Sequence, residues 1–280
     1  LTQIMAEEQG LTFDQAEFDK AQADSKEASH GGGKQQDSDA VKLDVHDLGY
    51  LDSIVLPKTD DEAKYNSASI NATVKAVFQQ HKFVENTASL ADPTAPFGVL
   101  LDRTCMYAES GGQQADTGSL VIDGQAEFEV TDVQAYSGYV LHVGFLKYGS
   151  LAVGSDVVVA YDESRRGPLR NNHTGTHILN FGLREVLGDH VDQKGSLVAP
   201  NKLRFDFSNK APVSVEELKK IEAISNDFIK RNMPVYSKEM YLEDAYKIPG
   251  LRAVFGEAYP NPVRVVSLGF DVDEISKDIE

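Results

Sequence analysis

Short β-type runs separated by turn residues fill residues 67–162, and no other feature of the chain restricts its fold as strongly. Thr73–Phe78, Phe97–Leu101, Ser119–Ile122, Ala126–Val130, Tyr139–Val143 and Val157–Tyr161 are the candidate strands. Asp123-Gly124 between two of them is a hairpin signal, because such pairs accept the positive φ of a tight turn. Strands this short bury their apolar residues only by closing on one another, so a small β-barrel is expected. After Arg165 the period becomes helical. Leu179, Leu183, Val186 and Leu187 form one stripe, with Asn171 or Asn172 as a cap and Gly188 as a stop. A strand pair, Gly195–Val198 and Leu203–Phe207, turns at Pro200-Asn201. Ser214 and Glu217 then make a capping box, with Val213 and Leu218 as a hydrophobic staple, ahead of a helix ending near Arg231. Val263–Leu268 reads as a last buried strand, and the acidic tail shows no closing element.

The N-terminal stretch has a different texture. Leu1–Gln9 stops at Gly10, and Thr12 or Asp14 caps a second helical stretch to Ser29. His30 and Gly31-Gly32-Gly33 open a polar linker, and Val41–Lys64 has no firm pattern. The expected organisation is therefore α+β in three parts. Residues 1–66 form a helical tail plus linker, 67–165 a β-barrel, and 166–280 an α+β core. No run reaches the roughly 18 apolar residues of a membrane span, and Glu7 and Glu8 do not suit a secretory signal. One cysteine, Cys105, leaves no internal disulfide and fits a reducing, cytoplasmic setting.

Net charge is −17, which disfavours general polyanion binding and DNA. The charge is uneven. Residues 1–66 carry 15 acids and 6 bases, residues 67–165 carry 12 and 5, and residues 166–270 carry 12 and 15. A nucleic-acid partner should therefore meet the C-terminal third, with Arg166 and Arg170 among the expected phosphate contacts.

Three clusters carry chemistry. His173-Thr174-Gly175-Thr176-His177 puts two imidazoles four residues apart on one helix face, where both can hold one metal ion. Thr174 stands where a metalloprotease needs a glutamate base, so that chemistry is disfavoured. Gly111-Gly112-Gln113 combines a backbone open to close approach with an amide that can orient water, though a plain hairpin turn explains it equally well. Gln193 begins a strand expected beside the histidine helix. Cys105 reads as a core residue.

The His173–His177 segment in its Asn172–Asn180 context resembles the editing domain of alanyl-tRNA synthetases. So do the Tyr107–Gln113 loop, the Asp192–Val198 run and Leu251-Arg252-Ala253-Val254-Phe255-Gly256-Glu257. The resemblance covers essentially the whole chain and is nearest to the eukaryotic, yeast-like cytosolic type. It implies an editing core of the threonyl/alanyl-tRNA synthetase second-domain type, which hydrolyses tRNA(Ala) mischarged with serine or glycine. An alanine pocket cannot exclude glycine, and one methyl is worth only about 1–3 kcal/mol, so editing is needed. The resemblance further implies His173 and His177 as zinc ligands, and Gln193 as a residue touching the substrate, with Thr174 and Thr176 as weaker catalytic candidates. It places Gly111, Gly112 and Gln113 at the border of the site.

The family's other two ligands lie in a C-x-x-x-H motif that this sequence does not reach. Its aminoacylation domain, with ATP and Mg, would precede Leu1. The expectation is therefore a fragment with half a zinc site, weak in zinc binding and inactive until extended. Two alternatives remain at this stage: a free-standing deacylase of the AlaX type, and an inactive tRNA-binding module.

Overall fold

The structure, a computed structural model, describes residue 20 and residues 41–253 and 259–277. The expected helices within 1–29, the glycine linker and Val254–Glu257 of the last motif lie outside those residues. The chain divides into two compact units, Leu1–Asp44 and Val45–Glu280. All elements below belong to the second.

Helix α1 (Val45–Ser53) leads through a 3-10 turn (Glu62–Tyr65) into seven strands: β1 (Ser69–Gln79), β2 (Lys82–Val84), β3 (Phe97–Leu101), β4 (Gly118–Ile122), β5 (Ala126–Tyr136), β6 (Tyr139–Tyr148) and β7 (Asp156–Tyr161). Their order is β2-β1-β3-β6-β5-β4-β7, and β1 also pairs with β7. Six antiparallel strands thus close into the expected barrel, with β2 as a short flap on β1. Closure removes the unpaired edges that short strands would otherwise expose. The interior is packed by Val74, Phe97, Val99, Leu101, Leu120, Phe128 and Val159. Cys105 is buried among them, as expected. Asp123-Gly124 turns between β4 and β5 with Gly124 at φ 64°. Residues 45–66, grouped above with the N-terminal region, pack on the barrel: the buried Tyr139 donates its hydroxyl to Asp52 and to the Leu56 carbonyl at 3.1 and 3.0 Å.

Helix α2 (Glu163–Leu187) follows β7 directly. The expected start at Asn171 or Asn172 is corrected: Asp162 is the cap, accepting from the Ser164 amide at 2.9 Å. The helix runs through Pro168. Its first turns are held from outside by the buried Arg166 and Leu169. Asn172 instead donates to the Ala199 carbonyl at 2.7 Å, fastening the helix to the next hairpin. Gly188 ends the helix as expected.

Strands β8 (Gln193–Ala199) and β9 (Lys202–Phe207) form that hairpin, and α3 (Val215–Arg231) follows with its full capping box. Val213 packs with Leu183, Val191 and Ile221, whereas Leu218 is largely exposed. The chain then forms β10 (Val235–Met240), the single turn α4 (Leu242–Ala245), β11 (Val263–Leu268) and α5 (Val272–Lys277). β11 is not the buried strand expected. It makes a two-stranded ribbon with β10, and only Val265 is buried. A closing element does follow it: Val272 of α5 packs with Ala245, Ile248 and Val265.

Candidate functional site

Helix α2 carries the two imidazoles. His173 and His177, one turn apart, stack nearly parallel, with ring centroids 5.7 Å apart and 10° between planes. Desolvation lowers the pKa of both, and for His173 the neighbouring His177 adds to it. Both rings are therefore neutral near pH 7 and keep a lone pair, the form in which imidazole binds a metal.

The Gly-Gly-Gln loop reaches the same helix from the barrel. Ser110 and Gln113 exchange backbone hydrogen bonds of 3.2 and 3.0 Å, with Gly111 and Gly112 at φ 60° and 80° between them. The Gly-Gly-Gln segment is thus a tight turn. A β-carbon on Gly112 would fall 2.3 Å from Ser196 Oγ and 2.8 Å from its carbonyl oxygen. The loop lies that close because the Val198 amide donates to the Gly112 carbonyl at 2.7 Å and the Gln114 amide to Val198 at 3.0 Å. The buried Gln113 then meets the helix, its Oε1 2.8 Å from His173 Nδ1. Loop, β8 and helix are joined at one point.

Other expected residues take different places. Arg166 is corrected: it is not a free phosphate contact, being 3% exposed against Asp116 at 1%. Its Nε donates to the Asp116 carboxylate at 2.8 and 2.9 Å, its Nη1 to the Lys64 carbonyl and its Nη2 to the Cys105 carbonyl. The guanidinium lies 3.9 Å from the centre of the Tyr161 ring. Buried and paired in this way, it is closed to a phosphate on the surface. Asp116 also accepts from the Tyr107 amide at 2.8 Å, so this ion pair ties the base of the Gly-Gly-Gln loop to α2. Arg170 is exposed and paired with Glu163. Thr176 is buried and donates its hydroxyl to the His173 carbonyl at 2.7 Å, which commits it to the helix. Gln193 starts β8 opposite Phe207, half-buried, and β8 packs against α2.

Sequence reasoning missed a cavity of about 760 Å³ between α2 and the β10–β11 ribbon. Thr174 and His177 lie on its wall with Phe181, Phe228, Arg252 and Val265. Leu251, Arg252 and Ala253, the described part of the last motif, line it too. Its size falls in the roughly 300–1,000 Å³ range of ligand sites. The apolar residues around the histidine come from six separate elements, so no local stretch of sequence signals the cavity.

The donor set fits zinc as two of its ligands: two neutral nitrogens one helical turn apart, one already oriented by Gln113. Among the described residues, no third histidine, cysteine or carboxylate gathers with the pair. Nor is any described helix long and apolar enough to cross a membrane.

Residues 1–165 match the family model of the class II (A) tRNA synthetases, and the chain belongs to that family. Within it, the similarity is to alanine–tRNA ligases. The chain is 57% identical to the alanine–tRNA ligase of Candida albicans over 99% of its own length and 28% of the ligase. It is 54% identical to the mitochondrial alanine–tRNA ligase of Saccharomyces cerevisiae over 98% of its length and 28% of that protein. It is 42% identical to the cytoplasmic one of Bombyx mori over 99% of its length and 30% of that protein. The chain thus spans under a third of these relatives.

Proposed function

We propose that this chain is the editing region of an alanine–tRNA ligase, and that it hydrolyses the ester of tRNA(Ala) carrying serine or glycine. The parent enzyme, on this reading, attaches alanine to tRNA(Ala) with ATP and Mg in another domain and works in the cytoplasm. The observation that carries the proposal is the stacked His173–His177 pair, with His177 on the wall of a ligand-sized cavity and His173 buttressed by the Gly-Gly-Gln loop.

His173 and His177 would hold a zinc ion with further ligands from elsewhere in the protein, and bound zinc supplies Lewis-acid polarisation of an ester carbonyl. The chain's own residues provide the surroundings. Gln113 keeps the His173 ring in place, and the apolar wall restricts water around the ester. Thr174 brings a hydroxyl to the same wall, and Gln193 offers an amide able to distinguish a serine hydroxyl. Arg170, Lys194 and Arg204 are exposed on this part of the chain and would follow the tRNA backbone.

The test is hydrolysis of Ser-tRNA(Ala), Gly-tRNA(Ala) and Ala-tRNA(Ala) by a ligase of full relative length, before chelation, after it and after zinc return. The expected result is loss of hydrolysis of the first two on chelation and recovery with zinc, with Ala-tRNA(Ala) spared throughout. Hydrolysis indifferent to chelation would refute the zinc reading. Gln193→Ala is expected to change seryl hydrolysis more than glycyl hydrolysis, and equal loss would remove its discriminating role.

A further inference from the structure

Gln113 has a role that neither a turn nor a substrate contact explains. It is 4% exposed, although glutamine is a residue that normally stays in water. The backbone around it is fully engaged with Ser110 and Val198, so its side chain is aimed by a fixed frame. That frame delivers Oε1 to within 2.8 Å of His173 Nδ1. An amide oxygen only accepts, so Nδ1 must carry the proton. In neutral imidazole the other nitrogen, Nε2, is then bare.

We propose that Gln113 is a positioning residue that holds His173 as its Nδ1–H tautomer and leaves Nε2 as the electron-pair donor for a metal. The metal half of this statement rests on the zinc reading above; the tautomer half stands on the contact itself. Histidine ligands generally need such an outer partner, since the bond at one nitrogen selects the tautomer and ring angle at the other. The Gly-Gly dipeptide has its reason in the same geometry. A β-carbon on Gly112 would strike Ser196, so a side chain there would push the loop off β8 and carry the Gln113 oxygen away from Nδ1. At Gly111 there is room for a β-carbon, and glycine is favoured there by its φ of 60°. Asp116 and Arg166 complete the arrangement by fixing the loop's base to α2 two turns before His173. His177 has no such contact to the loop, so the two imidazoles are unequal: one is set by the barrel, the other faces the cavity.

The experiment is ring-nitrogen NMR on the 280-residue chain with 15N-labelled histidine, His173 being identified by its loss in His173→Asn. Gln113→Met keeps the side chain's length and removes the acceptor; Gln113→Glu keeps an acceptor. In the wild type and in Gln113→Glu, His173 is expected to show a protonated Nδ1 and a bare Nε2. Gln113→Met should mix the tautomers at His173 alone, with an unchanged melting temperature. Zinc affinity, measured on a ligase of full relative length that carries the same substitutions, should fall about 10- to 100-fold in Gln113→Met and be largely restored in Gln113→Glu. An unaltered tautomer in Gln113→Met, or an Nε2–H wild type, would overturn the proposal. Should the tautomer shift as expected while the full-length ligase binds no zinc, the zinc reading falls and the hold of Gln113 on His173 stands. If Gln113→Met loses its melting transition, Gln113→Glu decides on the tautomer alone: a bare Nε2 supports the proposal, and a protonated one overturns it.

Discussion

The barrel and the segment after it solve the same problem in opposite ways. In the barrel, six strands close on themselves and bury one continuous apolar interior. After Asp162 the described residues form two separate two-stranded ribbons and two small apolar clusters, with a cavity of about 760 Å³ between α2 and the second ribbon. The barrel core is packed from the barrel's own residues. The histidine helix is placed by what it borrows: an ion pair, an amide and a strand from outside itself. On the proposed reading the chemistry sits on the open part, and the closed part aims it.

The sharpest way to break this contrast is at Asp116–Arg166. Asp116→Ala leaves the guanidinium buried without its carboxylate and should cost about 3–5 kcal/mol in urea unfolding. Replacing both residues, as Asp116→Leu with Arg166→Met, should recover most of that loss, since an apolar pair of similar volume removes both desolvation penalties. Recovery of fold without recovery of site geometry would show the pair serves position more than stability.

A second difference concerns acid. Burial drives the His142 pKa down to about 4, with the ring held between Thr104 Oγ1 and the Val99 carbonyl inside the barrel. An unfolded chain binds that proton near pH 6.5 and the folded one does not. The contribution of neutral His142 is therefore complete above pH 6.5 and lost as pH falls through 4, by about 3 kcal/mol in total. His142→Gln should flatten the stability profile between those values relative to wild type. Parallel profiles would mean the barrel does not hold this ring neutral.

The open part should respond in smaller steps. Ser214→Ala removes the cap of α3, whose hydroxyl accepts from the Glu217 amide, and should cost about 1 kcal/mol. Arg170→Gln should leave stability unchanged, weaken tRNA binding and lower the slope of log affinity against log salt by about 1. An unchanged slope would move the tRNA path elsewhere.

What could be read from the sequence follows the same contrast. Phe97–Leu101 is legible to the residue as an uninterrupted run without polar side chains between Pro96 and Asp102, buried throughout. The extensions of β5 to Tyr136 and β6 to Tyr148 run onto half-exposed positions such as Phe145 and Tyr148, where the alternation fades. β10, Val-Tyr-Ser-Lys-Glu-Met, has no fully buried position and carries no strand signal. The start of α2 was misplaced because its stabilising partner, Asp116, lies 50 residues away. The histidine spacing is local and legible. The contact that orients His173 joins residues 60 apart, and only a folded chain brings it into being.

The most direct test of the whole account is made on one full-length ligase with and without His177→Ala, measuring Ser-tRNA(Ala) hydrolysis and alanine attachment side by side. If the open part is an editing site aimed by the barrel, hydrolysis falls to background while alanine attachment is kept. Undiminished hydrolysis in His177→Ala would contradict it.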